Sequence, residues 1–215
     1  MPELHEVTRR RLESLTDELI EEFAGVHDPE TVRAMMADSA ERLAESAAIA
    51  DYLPPLALRL TRERLQASVP RSAESTRDVV FVSLSGGGRG QIAAALMALL
   101  ADGAVTVHSA GTAIGAGIDA NVATAIEELG IDVSEAFARP ITPEVLGATD
   151  MIVTMGHSVG VLEIPPGVRH EDWRIGDPVG APLEEVRRVR ADIESRVRAL
   201  LERLGVDVPA ASASR

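Results

Sequence analysis

The chain has 215 residues, 46% of them hydrophobic and 26% charged, which is enough for one good core and a small second unit. A net charge of −13 and a content of only one Trp, one Tyr and three Phe argue against nucleic-acid binding, because phosphates repel an acidic chain and bases stack on aromatic rings. The sequence has no cysteine, which excludes disulfides, thiolate metal sites and thiol-based redox chemistry.

The first 72 residues predict a bundle of three helices. Apolar residues from about residue 3 to 24 recur at three- and four-residue spacings, which is typical of an amphipathic helix. A second helix is expected from Asp28, a good capping residue, to about Ala50, and a third begins at Pro54-Pro55. The segment Ser68–Arg77 is rich in Ser and Thr and is interpreted as a linker.

Residues 76–207 predict an α/β domain, followed by a flexible tail at 208–215. The expected strands are Val79–Val82, Val105–Val107 and Met151–Met155, and the expected helices include Asn121–Leu129 and Leu183–Leu204. Strands that alternate with helices predict a doubly wound parallel sheet. The longest apolar stretch, Ala93–Ala101, is far shorter than the roughly 18 to 20 residues that span a bilayer, so we expect a cytoplasmic protein without membrane contact.

A glycine-rich segment between the first strand and its helix predicts an anion site. A doubly wound sheet places its ligands there, glycines let backbone N–H groups turn inward, and the helix adds the positive end of its dipole. The segment lacks the Lys-Ser or Lys-Thr pair of a nucleoside triphosphate loop, and Gln91 stands where a dinucleotide loop needs a glycine. The candidate anion-binding residues are Ser83, Ser85, Gly86, Gly87, Gly88, Arg89 and Gly90.

This loop, Val80–Ser83 followed by Arg89–Leu96, resembles the loop of arsenate reductases related to low-molecular-weight tyrosine phosphatases. Further segments follow in the order of that family: Ser109–Thr112, Glu127–Ile131, Thr154–Gly156, Glu171–Trp173 and Asp177-Pro178. The resemblance spans about residues 78–204 and implies the phosphatase-like α/β fold. The N-terminal bundle is similar to the helical extension of actinobacterial members.

The departures from the family pattern fall on its reacting groups. The resemblance implies a nucleophilic cysteine at the position of Ser83, an asparagine at Gly86 and a thiolate-stabilising serine at Gly90. His157 and Val161 stand where the redox cysteines would be. A thiol has a pKa of ~8.5 and a hydroxyl one of roughly 15.7, so forming the serine anion costs on the order of 10 kcal/mol more.

Three side chains are candidates for chemistry at this loop. Arg89 is expected to bind an oxyanion through its guanidinium. Asp177 corresponds to the general acid of the family, or forms only an Asp-Pro turn. Ser83 fills the volume of the cysteine and donates a hydrogen bond to the anion. Alternatively, His157 serves Ser83 as a base with Asp177 orienting it, unless His157 is simply a solvent-exposed loop residue.

The leading hypothesis is a pseudoenzyme with a binding or regulatory role that holds phosphate, sulfate, arsenate or the anionic group of a larger molecule. A second hypothesis is a repurposed enzyme, for example one of a biosynthetic pathway, that uses Ser83, His157 and Asp177 on a small molecule. A third is an interaction module whose N-terminal helices form a homodimer. No cofactor is expected, and no metal site is proposed because the histidines lack metal-ligand spacing.

Overall fold

The computed structural model describes residues 6–44, 52–70, 76–113, 117–133, 136–156 and 162–207. Its helices are α1 (Glu6–Glu22), α2 (Pro29–Ala44), α3 (Leu53–Ala67), α4 (Arg89–Ala101), α5 (Ala120–Glu127), α6 (Pro143–Ala148) and α7 (Leu183–Arg203). Its strands are β1 (Arg77–Ser83), β2 (Val105–Gly111), β3 (Met151–Met155) and β4 (Arg169–Trp173). None of the described helices is long and apolar enough to cross a membrane.

The N-terminal helices α1, α2 and α3 pack around their apolar stripes, as the residue spacing predicts. Asp28 starts α2, and its side chain accepts hydrogen bonds from the backbone N–H and the hydroxyl of Thr31 at 2.9 and 2.6 Å. The expected end of α2 near Ala50 lies outside the described residues. The buried core of the bundle consists of Leu12, Leu15, Leu19, Phe23, Val32, Met36, Ala40, Leu43, Leu53, Ala57, Leu60, Leu65 and, from much later in the chain, Phe137.

Homodimerisation through these helices stays a prediction, since the structure contains a single chain. Most of the described apolar residues of the bundle are buried within this chain, whereas Ile20, Leu56 and Leu58 are only partly buried and Val7 is exposed.

The predicted doubly wound parallel sheet is confirmed. Its strand order is β2-β1-β3-β4, and all pairs are parallel. Residues of α4, α5 and α7 cover one face of the sheet, where they pack on Val79, Phe81 and Val153. The opposite face, with Val80, Val82 and Ile152, packs on α6 and neighbouring loop residues. Burial on both faces explains why the central strands are continuous apolar runs.

The sequence pattern did not predict the strand β4 or the helix α6, and it placed the start of β1 too late. The strand β4 lies at the edge of the sheet, and only Trp173 of its five residues is buried, so its polar sequence has no apolar run. The helix α6 has only six residues, too few for a helical period. The linker expected at Ser68–Arg77 is too long by at least one residue, because Arg77 already pairs with Val105 in the sheet. The predicted tail at 208–215 lies outside the described residues.

Candidate functional site

The sheet topology places Ser83 at the centre of the carboxyl edge. Ser83 is the last residue of β1, and it lies beside Gly111 of β2 and Met155 of β3. The connection that follows β1 leads to β2 on one side of the sheet, and the connection that follows β3 leads to β4 on the other side. In open parallel sheets, ligands bind in the crevice where the connections diverge in this way.

The loop from residue 84 to 88 is tightly packed against the end of β2. A Cβ atom added to Gly111 would lie 2.8 Å from the backbone nitrogen of Gly86, and one added to Gly87 would lie 2.1 Å from the carbonyl oxygen of Gly117. Gly86 has a φ of 67°, in the left-handed region that glycine and asparagine tolerate best. Glycines at 86, 87 and 111 therefore allow the backbone to turn sharply at this point.

Backbone donors are available in the loop. The N–H groups of residues 84, 85, 86 and 88 donate to no carbonyl in the described part of the chain. The N–H of Gly87 donates only a long bond, 3.4 Å, to the hydroxyl of Ser85. The first N–H groups of α4 also lack intrahelical acceptors, as at every helix N-terminus. Such a concentration of donors favours a negatively charged group.

The hydroxyl of Ser83 is buried without a protein partner. Ser83 is 2% exposed, and its Oγ has no hydrogen-bond partner among the described residues. A Cβ atom on Gly90 would lie 3.2 Å from this Oγ, so the absence of a side chain at Gly90 leaves room beside it. An unsatisfied buried hydroxyl costs about 1–3 kcal/mol, which a bound acceptor would remove.

The guanidinium of Arg89 is buried and is held by two hydrogen bonds to the segment that follows β4. Arg89 is 7% exposed, its Nη1 donates to the carbonyl of Ile175 at 2.9 Å, and its Nη2 donates to Asp177 Oδ2 at 3.1 Å. Its Nε has no partner within the described ranges. A Cβ atom on Gly156 would lie 2.8 Å from Nη1, so glycine is needed there. With five donors in a fixed fork, Arg89 retains hydrogen-bonding capacity for an oxyanion.

Asp177 lies above the loop and keeps contact with solvent. Besides Arg89, it accepts a 3.3 Å hydrogen bond from the backbone of Val179 in the turn that follows. The same turn is tied to α5 by Asp119, which caps that helix and accepts from the N–H of Gly180 at 3.0 Å. Burial raises the pKa of Asp119, but its three backbone N–H donors more than reverse this and leave the pKa below its usual value.

The structure brings Arg89 and Asp177 into contact and places both beside the loop that follows Ser83. Gly90 lies in the first turn of α4. His157, the expected base, and Val161 lie outside the described residues, so the repurposed-enzyme hypothesis stays a prediction. Asp119 was missed in the sequence, although an acidic residue just before a helical segment is a recognisable capping signal.

Comparison with known proteins gives consistent matches. The family described as "Low molecular weight phosphotyrosine protein phosphatase" matches residues 78–210, and "Protein-tyrosine-phosphatase-like, N-terminal domain" matches residues 12–68. A putative arsenate reductase of Halobacterium salinarum is 32% identical over 142 residues, which are 63% of this chain and 99% of that protein.

Two solved structures resemble this chain, one over most of its length and one over a shorter part. A thioredoxin-dependent arsenate reductase of Corynebacterium glutamicum superposes with a TM-score of 0.81 at 30% identity, covering 91% of this chain and 97% of its own. An arsenate reductase in the phosphate binding state has a TM-score of 0.53 and 28% identity, covering 60% of this chain and 98% of its own. The first similarity therefore includes the helical bundle.

Proposed function

Since the chain belongs to the low molecular weight phosphotyrosine protein phosphatase family, we propose that it binds an oxyanion, or the anionic group of a larger molecule, without the thiol chemistry of arsenate reductases. The observation that carries this proposal is the buried Ser83 hydroxyl, which has no partner in the described chain and stands at the start of a loop whose backbone N–H groups mostly lack acceptors. The buried guanidinium of Arg89 adds positive charge at the same loop. A pseudoenzyme with a binding or regulatory role fits these features.

The absence of cysteine supports the loss of the family's thiol chemistry. Arsenate reduction by thiols needs a nucleophilic thiolate and a disulfide, and this chain has no sulfur atom that forms either. Deprotonating the hydroxyl of Ser83 costs on the order of 10 kcal/mol more than deprotonating a cysteine thiol. The arsenate reductase that was solved in the phosphate binding state supports phosphate as a ligand to test.

Titration with phosphate, sulfate and arsenate tests the proposal. At 100 times the dissociation constant, a ligand that binds only the folded protein stabilises it by about 2.7 kcal/mol. We expect a concentration-dependent rise of the melting temperature, matched by calorimetric binding of the same anion. Chloride at equal ionic strength is the control. Equal melting curves in chloride and in all three oxyanions would refute the proposed inorganic ligands, and the titration is then repeated with organic phosphate esters.

A thiol introduced by Ser83→Cys would measure the electrostatic potential of the loop. Because the chain has no other cysteine, the ultraviolet absorbance of the thiolate would belong to this group alone. We expect its pKa below the usual ~8.5, since Arg89 and the N-terminus of α4 favour the anion. Adding Arg89→Met in the same background should raise that pKa again. A pKa above ~8.5 in the single variant would contradict a positive potential at the loop.

A further inference from the structure

A buried glutamine connects the anion loop to another part of the molecule. Gln91 lies in the first turn of α4 and is 8% exposed. Its Nε2 donates two hydrogen bonds of 3.0 Å, one to the carbonyl of Gly86 in the loop and one to the carbonyl of Phe137. Both hydrogens of the amide nitrogen are used.

The bond to Gly86 orients one of the loop donors. In a planar trans peptide the C=O and N–H groups point in opposite directions. Holding the carbonyl of Gly86 on Gln91 therefore directs the N–H of Gly87 away from Gln91. Gly86 has the left-handed φ of 67°, where a glycine peptide would otherwise rotate easily. Gln91 thus restricts the loop at its most adaptable residue.

The second acceptor, Phe137, belongs to the core of the N-terminal bundle. Its ring is buried among the bundle residues, and two guanidinium groups lie over it, with Arg59 of α3 at 5.2 Å and Arg139 at 4.9 Å from the ring centroid. These cation–π contacts help to hold the ring in place. The position of the Phe137 carbonyl, and hence of Gln91, depends on how the bundle packs against the α/β domain.

A second path joins the same segment to the loop. The carbonyl of Arg139 accepts from the N–H of Gly111 at 2.8 Å, while its side chain pairs with Glu63 of α3 at 3.1 Å. Gly111 in turn packs against Gly86, where an added Cβ would lie 3.1 Å from the Gly111 nitrogen. Two separate sets of contacts therefore run from α3 to Gly86.

We infer that Gln91 and Phe137 are positioning residues of the anion loop, so that the packed N-terminal bundle sets the affinity of the loop for its ligand. The inference rests on the proposed function. It assigns the bundle a role at the site although no residue of α1, α2 or α3 belongs to the loop.

Gln91→Met tests the first connection, because methionine has a similar length and no donor. It leaves the carbonyls of Gly86 and Phe137 without their partner. We expect phosphate affinity to fall about tenfold and amide hydrogen exchange of residues 84–90 to become faster. The control is Thr149→Val, which also removes a buried side-chain hydrogen bond, from Thr149 Oγ1 to the carbonyl of Val145, at the opposite end of β3.

Phe137→Leu tests the connection to the bundle. It removes the ring that the guanidinium groups of Arg59 and Arg139 contact and keeps the carbonyl that Gln91 uses. We expect weaker phosphate binding and faster exchange of residues 84–90. The matched control is Phe23→Leu, the same change at another buried phenylalanine of the bundle core. Affinities are measured well below each melting temperature, so that a loss of stability alone does not change them.

If Gln91→Met and Phe137→Leu equal their controls in both affinity and loop exchange, the inference is overturned. If the wild-type protein binds phosphate and only the two test variants lose affinity and loop protection, it holds. Absence of phosphate binding by the wild type would count against the proposed function. In that case the exchange rates of residues 84–90 alone decide whether Gln91 and Phe137 position the loop.

Discussion

Replacing Arg89 with methionine is expected to weaken phosphate binding by roughly 100-fold and to abolish stabilisation by phosphate at moderate concentrations. The guanidinium is the buried cation of the loop and has an unused Nε, whereas the backbone donors carry only partial charges. Hydrogen bonds to a charged group contribute about 1.5–3 kcal/mol each. The loss of two such bonds at the lower end of this range weakens phosphate binding by roughly 100-fold. Isothermal calorimetry and thermal denaturation in increasing phosphate measure it.

The control is Arg196→Met, which changes the net charge equally. Arg196 lies on α7 in an exposed ion pair with Asp192 at 3.1 Å. We expect nearly wild-type phosphate affinity in this variant. Arg89→Lys should fall between wild type and Arg89→Met, because an ammonium keeps the charge but loses the planar fork. Equal losses in Arg89→Met and Arg196→Met would show that overall charge, and not the loop, determines binding.

Replacing Arg64 with methionine is expected to lower the free energy of unfolding by about 2–3 kcal/mol. The Arg64 side chain is 5% exposed and joins three helices: it pairs with Glu144 of α6 at 2.9 Å and with Asp38 of α2 at 2.6 Å. It also donates to the hydroxyl of Ser39 at 2.9 Å. The carboxylates left behind retain some contact with water, so the value lies below that of a fully buried pair. Urea denaturation at neutral pH measures it.

Arg62→Met is the matched control in the same helix. Arg62 pairs with Glu22 at 2.8 Å on the surface of the bundle. Exposed pairs of this kind contribute about 0–1 kcal/mol, so a small change is expected. A loss of the same size in both variants would contradict a special role of Arg64 between the bundle and the α/β domain.

The Arg64 pair also predicts a pH dependence. Burial raises the pKa of Glu144, but the hydrogen bond from Arg64, the backbone N–H of Glu144 and the charge of Arg64 together contribute to a net lowering, and the pKa lies below the usual 4.5. A carboxyl group with a lowered pKa in the folded state contributes stability above its unfolded pKa and loses it as pH falls through the folded value. The difference in unfolding free energy between wild type and Arg64→Met should therefore shrink at successive pH values below 4.5.

The sequence predicted elements whose pattern is local. The apolar spacing of α1 and the capping residue of α2 belong to neighbouring residues, and so does the β-branched run of β1. The loop that contains Ser83 and Arg89 was also predicted, because a strand, a glycine cluster and a helix follow one another directly. Asp177 was selected only through the family resemblance, since it is 88 residues from the arginine that it contacts.

No pattern in the sequence indicated the role of Gln91, which served there only as an argument against a dinucleotide loop. Its partner Phe137 is 46 residues away, and nothing in the spacing of the two residues relates them. The edge strand β4 was not predicted for a related reason. Its only buried residue is Trp173, so the strand is defined by its backbone pairing with β3. Backbone pairing leaves no mark on side-chain polarity.

By itself, the sequence determined that this protein has no thiol chemistry, because a chain without cysteine cannot form a thiolate in any fold. It also predicted where an anion loop would lie, since the residues of that pattern are consecutive. Only the tertiary structure decided which distant residues contact that loop and its helix. Asp177 accepts a hydrogen bond from Arg89, and the carbonyl of Phe137 accepts one from Gln91. The physical reason is that such hydrogen bonds depend on how the sheet and the bundle pack, and packing joins residues irrespective of their separation along the chain.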